Sequence, residues 1–218
     1  MELKGKKIAF LGDSITEGVG PSVLEKVYWK VLERNTGAQC FGFGVSGSRI
    51  AAQRVPGPYP ESEVNFVTRA DGMIPDADIV VVFGGVNDFA HGDAPFGTHD
   101  DRTEATFCGA VHVLMEKLLL RYPHGQIVFM TPLHCEFEDD VGFNHYGVRR
   151  CGNLQRYVDA IVEAAGFYGI PVLDLFRTCS IQPRLDFNKV LNMPDGIHPS
   201  DAGNARIAAR LEGFLKAL

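Results

Sequence analysis

Five short apolar runs are spaced along this chain: KIAFL at 7–11, QCFGFGV at 39–45, DIVVVFGG at 78–85, QIVFM at 126–130 and PVLDLF at 171–176. Each has the length of a strand, and most are rich in Val, Ile and Phe, which suit a pleated surface. They are apolar on both sides of the pleat, as strands covered on both faces are. Between them lie segments of helical period. Val23, Leu24, Val27, Tyr28, Val31 and Leu32 form one stripe, closed by Asn35-Thr36-Gly37. Phe107, Val111, Leu114, Met115 and Leu118 form a second, stopped by Tyr122-Pro123-His124-Gly125. Val148, Cys151, Leu154, Val158, Ile161, Val162 and Ala165 form a third, and Ile207, Leu211, Phe214 and Leu215 a last one, capped by Ser200 or Asp201. Residues 62–69 read as a further short helix. Parallel neighbours need crossover connections, so this alternation predicts an α/β chain: a parallel sheet with helices on both faces.

The chain's 218 residues suit one domain spanning 1–218, with no internal repeat, low-complexity stretch or linker. With 21 basic against 27 acidic residues the net charge is -6, and there is no basic run, so no nucleic-acid partner is expected. Five cysteines, scattered and without a Cys-x-x-Cys, argue against a disulfide framework and a structural zinc site. The start, MELKGKK, runs straight into the first strand with no apolar segment and cleavage site, and no stretch is long and apolar enough to insert in a membrane. Reduced thiols in a cytoplasmic protein are the expectation.

Long segments follow the strand ends, at 48–61, 87–101, 132–147 and 177–199. In an open α/β sheet, ligands bind at the carboxyl ends of the strands. Four chemically loaded stretches sit there or near the C-terminus: GDS (12–14), GVSG (44–47), GVND (85–88) and DGIH (195–198). Each alone has an ordinary explanation. Ser14 between strand and helix reads as a cap, Gly47 as a tight turn, Asn87 as an Asx-turn, and DGIH as a turn with a surface His. Together they supply a complete chemistry. A serine needs a base to attack at neutral pH. Asp195 and His198, three apart on a turn, can fold carboxylate onto imidazole and leave the other ring nitrogen for Ser14. The backbone N–H groups of Ser14 and Gly47 and the Asn87 amide can converge on an oxyanion. His91, His99, His134 and His145 are loop residues that could line a pocket.

A rival reading rests on GFGVSG (42–47), a literal GxGxxG after a strand. It follows the second strand rather than the first, leads into a proline-interrupted stretch, and its downstream acids Glu61 and Glu63 lie in or beside that loop. A flavin or dinucleotide is therefore disfavoured. No P-loop and no HExxH is present, so no catalytic metal is expected.

In this order, the four stretches resemble the SGNH hydrolases, the GDSL esterase/lipase family, over nearly the whole chain from Gly12 to His198. The resemblance implies Ser14 as nucleophile, Asp195 and His198 as the other triad members, and Ser14, Gly47 and Asn87 as the oxyanion hole. It implies a flavodoxin-like three-layer α/β/α sandwich whose five-stranded parallel sheet has order 2-1-3-4-5, with no cofactor. Many members carry Asn before the second-block glycine and an acid after it. Here those places hold Gly42 and Ser48, expected to loosen local packing and to alter the pocket rim. The α/β-hydrolase elbow G-x-S-x-G is absent around Ser14.

The loops mix aromatics (Phe89, Phe96, Phe137, Phe143, Tyr146) with charges, unlike a greasy tunnel for long acyl chains. The expectation is a small-molecule ester with a short, acetyl-type acyl group on a polar or carbohydrate alcohol, with Asp13, Phe89 and Phe137 as substrate contacts. Lipase, lysophospholipase and thioesterase activities of the same family stay open, as does a non-catalytic ligand-binding domain. No feature signals an oligomer interface.

Overall fold

The computed structural model describes residues 1–55, 64–144 and 146–218. Five strands form one parallel sheet: β1 (Lys7–Gly12), β2 (Gln39–Gly44), β3 (Ile79–Phe83), β4 (Gln126–Met130) and β5 (Val172–Leu173). Their order is β2-β1-β3-β4-β5, every pair parallel. Gly12, at the end of β1, stands level with Gly44 of β2 and Phe83 of β3.

Alternate residues of the strands divide between two cores, which is why the runs are apolar on both sides of the pleat. Ala9, Leu11, Val80, Val82, Ile127 and Phe129 face one way, into a core closed by α5 (Phe107–Arg121) and α6 (Leu154–Tyr168). Ile8, Phe10, Ile79, Val81, Val128 and Met130 face the other, into a core closed by α2 (Tyr28–Thr36) and α9 (Asp201–Ala217). The result is the expected α/β/α sandwich. No described helix is long and apolar enough to cross a membrane.

Helix ends follow local chemistry. Gly37 and Gly169 end α2 and α6 in the left-handed conformation. Thr106, Asn153 and Ser200 cap the starts of α5, α6 and α9 through their side-chain oxygens.

Several boundaries differ from the sequence reading. PVLDLF yields only the two-residue β5, because Asp174 accepts from Arg177 N and starts α7 (Leu175–Thr178). Val148 and Cys151 precede α6, which begins only after the Asn153 cap. Val23 and Leu24 are half exposed and lie before α2, in or beside a 3₁₀ turn. The helix read after the first strand is the single turn α1 (Ser14–Glu17), and two short helices were not foreseen: α4 (Val86–His91) and α8 (Asp186–Asn192). The helix expected at 62–69 is present as α3 (Phe66–Arg69), its first two residues lying outside the described ones, as do Glu61 and His145.

Candidate active site

The four stretches meet at the carboxyl edge of β1, β2 and β3. β1 passes directly into α1, with Asp13 as the cap: its Oδ1 accepts from Ile15 N at 3.0 Å. Ser14 is therefore the first helical residue, 8% exposed. Trp29 Nε1 donates to Thr16 O at 2.9 Å and Thr16 Oγ1 lies 2.9 Å from the Tyr28 hydroxyl, which locks α1 onto α2.

The candidate base arrives from the far end of the chain. Gly196 N donates to Met193 O at 2.9 Å, and Gly196 O accepts from Glu136 N at 2.9 Å, folding a turn braced from outside. On that turn, Asp195 Oδ1 accepts from the backbone N–H of His198 at 2.7 Å and of Ile197 at 3.0 Å. Its Oδ2 lies 2.7 Å from His198 Nδ1, and His198 Nε2 lies 2.9 Å from Ser14 Oγ. Burial alone would raise the Asp195 carboxyl, but these donors outweigh it and hold the group below its usual value. An ionised carboxylate only accepts, so Nδ1 carries the ring proton and the Nε2 lone pair faces Ser14. Asn204, fully buried in α9, donates to Pro199 O at 2.8 Å and Ser200 O at 3.1 Å, and accepts from Tyr28 N at 2.9 Å. It ties the His198 loop to the start of α2.

The candidate oxyanion side is built from the ends of β2 and β3. The GxGxxG glycines answer to packing. A Cβ on Gly42 would come within 2.5 Å of the Trp29 ring, and one on Gly44 within 2.0 Å of Glu17 N. Gly47 has φ of 74° in a turn closed by Ser48 N donating to Val45 O at 3.2 Å. Gly42 thus allows tighter packing, not looser. Ser48 is 1% exposed, so it does not shape the rim. Its Oγ donates to Val45 O and accepts from Arg69 Nη1 at 2.8 Å. Arg69 also donates to Gly12 O at 3.0 Å and to Phe43 O, clamping both strand ends.

From α4, Asn87 Nδ2 donates to Ser48 O at 3.1 Å. His91 lies 3.0 Å from Arg49 through Nδ1 and 3.0 Å from Asn87 Oδ1 through Nε2. Arg49 only donates, so Nδ1 accepts and Nε2–H donates, which fixes the Asn87 amide with its nitrogen toward Ser48 and the cleft. The buried Asp88 accepts from Ile50 N and Ala51 N at 2.9 and 3.0 Å, pinning the loop that follows Gly47. Burial pushes its carboxyl up to about 7 against those bonds.

These parts open onto a cleft of about 530 Å³ lined by Ser14, Val19, Ser46, Gly47, Asn87, Ala90, His91, Phe137, Arg150, Ile197 and His198. Two expected substrate contacts do not reach it. Asp13 is 1% exposed because it caps α1 from below, and Phe89 is 1% exposed because it stacks beneath Phe137 at 5.9 Å. Phe137 alone of the three lines the cleft. Of the histidines expected in loops, His91 lines it too, from the last position of α4. His134 pairs with Glu138 at 2.7 Å, and His99 borders a separate cavity of about 330 Å³ beside α5 and α6 that holds none of the candidate catalytic residues. Arg69, Asp88, Asn204 and Arg150 escaped the sequence reading. Arg69, Asn204 and Arg150 sit in no motif, and Asp88 lies within GVND without a role that spacing reveals. Among the described residues, no group of three or more His, Cys, Asp or Glu could hold a metal ion.

The sequence model of the GDSL-like Lipase/Acylhydrolase family matches residues 10–206. One solved structure is 34% identical, with a TM-score of 0.85, over 100% of this chain and 99% of that one. A protein from Lactobacillus plantarum is 30% identical, with a TM-score of 0.81 and 98% of each chain covered. The lipase/acylhydrolase from Enterococcus faecalis shares the fold at 18% identity and a TM-score of 0.68, over 97% of this chain and 96% of that one. No curated protein matches the sequence.

Proposed function

The chain belongs to the GDSL-like lipase/acylhydrolase family and is a carboxylic ester hydrolase, and from that premise we propose that it works through an acyl-enzyme on Ser14. The observation that carries this is the chain of contacts Ser14 Oγ–His198 Nε2 at 2.9 Å and His198 Nδ1–Asp195 Oδ2 at 2.7 Å. His198 Nε2 takes the hydroxyl proton as Ser14 Oγ attacks the acyl carbonyl. Negative charge on the carbonyl oxygen is met by the N–H groups of Ser14 and Gly47 and by the Asn87 amide. As the C–O bond to the alcohol breaks, His198 returns the proton to the departing oxygen. Water then repeats the sequence on the acyl-enzyme, with its proton passing through His198 back to Ser14. Asp195 keeps the imidazole in the productive tautomer and stabilises the imidazolium.

The substrate is a short-acyl ester, acetyl-type, of a polar alcohol. What supports this reading is that the apolar wall of Val19, Ala90, Phe137 and Ile197 is broken by the polar Ser46, His91 and Arg150. The test is hydrolysis of p-nitrophenyl acetate and butyrate by the wild type and by Ser14→Ala, with folding of both checked by circular dichroism. Turnover lost in a folded variant is the expected result. Equal rates in both would remove Ser14 as nucleophile, and strong preference for long-chain over acetyl esters would overturn the short-acyl assignment.

A further inference from the structure

Among the described residues that line the cleft, Arg150 is the one formal charge of fixed sign and none is a carboxylate. Its side chain is only 9% exposed, although the chain as a whole is acidic. The guanidinium lies 5.5 Å from the Phe89 ring and 5.8 Å from the Phe137 ring, and these two rings stack at 5.9 Å with 13° between their planes. The guanidinium thus lies along the flank of this aromatic pair, about equally far from both rings, which limits its orientation. Nη1 is taken, by Asp140 Oδ2 at 2.7 Å and Phe143 O at 3.4 Å. Among the described residues Nε has no hydrogen-bond partner, and it is buried. The backbone also closes the loop that carries Arg150: Arg150 N donates to Gly142 O at 3.0 Å, and Phe143 bridges Arg149.

A buried guanidinium N–H without an acceptor is unfavourable, and here it belongs to a residue in the wall of the catalytic cleft. Nη2 makes no hydrogen bond to a described residue and, unlike Nε, is not shut off by burial, so it is the N–H group of this charge that a carboxylate in the cleft can take. We propose that Arg150 reads a carboxylate on the substrate, so that the alcohol part of the natural ester is a hydroxy acid. This rests on the short-acyl reading above, which leaves the polar part of the substrate on the alcohol. Asp140, half exposed on the other side of the guanidinium, is then both a support for Arg150 and a competitor for its charge.

The experiment compares 3- and 4-acetoxybenzoate with their methyl esters, which carry the same acetyl group without the carboxylate. The readout is the ratio of kcat/KM for each acid to that of its methyl ester, measured within one variant so that loss of folded enzyme cancels. In the wild type at least one isomer shows a ratio of about ten or more, carried by KM. Arg150→Gln lowers that ratio by about tenfold or more, and Asp140→Asn raises it. Ratios near one or below for both isomers in the wild type, or an unchanged ratio in Arg150→Gln, would overturn the assignment of Arg150. If that variant does not fold, a ratio in Asp140→Asn that stays flat or falls overturns it instead. Turnover of the esters without charge preference sinks this inference alone. Absence of turnover of all four by folded wild type sinks the short-acyl reading, and this inference with it.

Discussion

Replacing Arg69 by Met keeps an apolar stem against Phe66, whose ring lies 5.2 Å from the Arg69 guanidinium carbon, and removes the charged head. Three hydrogen bonds disappear: to Gly12 O at 3.0 Å, to Ser48 Oγ at 2.8 Å and to Phe43 O. Not all the abandoned acceptors are stranded. Gly12 O still takes Val45 N at 3.2 Å, and Ser48 Oγ still donates to Val45 O at 2.7 Å. The loss per bond therefore sits near the ~1 kcal/mol of an ordinary hydrogen bond, below the range of a charged one, and the sum is about 3 kcal/mol. For a chain of this size that corresponds to a fall in Tm of roughly 6–12 °C.

The same three acceptors flank the proposed chemistry. Gly12 lies two residues before Ser14, Ser48 follows Gly47, and Phe43 is in β2. Slackening there displaces an oxyanion donor relative to the nucleophile, and kcat falls by about 10- to 100-fold. Calorimetry gives the first number and p-nitrophenyl acetate turnover the second. A third readout separates this clamp from generic destabilisation. Burial pushes Asp13 up to about 6, while its bond from Ile15 N, His198 and Arg69 pull the other way. Without Arg69 the Asp13 carboxyl titrates higher still, visible by NMR. A variant that melts within 2 °C of wild type, as a roughly additive loss of this kind forbids, and turns over at the same rate would refute the reasoning.

Asp13→Asn retains an acceptor for Ile15 N and removes a buried ionisation. The wild-type carboxyl has a folded value of about 6 against 3.8, so its neutral form stabilises the fold fully below about pH 4, and this is lost as pH rises through about 6. The stability of Asp13→Asn relative to wild type therefore grows from pH 4 to 7, approaching about 3 kcal/mol. Urea unfolding at four pH values checks it, and a gap that does not change with pH counts against it. Asn87→Asp removes the amide donor while keeping the shape, and kcat falls by about 10²–10³; single-turnover rates with a chromogenic acetate report this. Asn204→Ala leaves the buried Tyr28 N without its acceptor at 2.9 Å and slackens the His198 loop. It costs about 2–3 kcal/mol, read as a lower Tm, together with a lower kcat.

The sheet was legible because its strands are covered on both faces. Ile8 and Phe10 enter one core and Ala9 and Leu11 the other, so every position in the run must be apolar. The long helices were legible from their stripes, but their first turns were not. Val148 and Cys151 continue the apolar spacing of α6 by coincidence, and only the Asn153 cap marks where the helix starts. The short helices α1, α4 and α8 have too few turns for a period to register. Among the candidate site residues, Ser14, Gly47, Asn87, Asp195 and His198 announced themselves because each belongs to a short motif with a chemical reason. Asp13 and Phe89 misled for the same reason: a motif or loop position marks proximity in sequence, whereas burial decides what a side chain touches. Asp13 spends its carboxylate on Ile15 N, and Phe89 its ring on Phe137 and Tyr157.

The residues that no motif marked are those that convert proximity into geometry. Ser14, Gly47 and Asn87 follow three strands that are neighbours in space, so the order β2-β1-β3 alone brings their turns to one edge. Topology delivers them only to within a loop's reach, and catalysis needs sub-ångström placement. Arg69 supplies that between β1 and β2, Asp88 and the Asn87–His91–Arg49 chain between the β2 turn and α4, and Asn204 between α9 and α2. Each spans elements remote in sequence, Arg69 by 57 positions to Gly12 and Asn204 by 176 to Tyr28. Such side chains have no local signature, because what selects them is the partner they meet after folding. The proposed catalytic groups could be swapped into another α/β scaffold as a pattern of types. These cross-links could not, and the sensitivity of kcat to them is the measure of how much of the chemistry resides in the fold rather than in the motif.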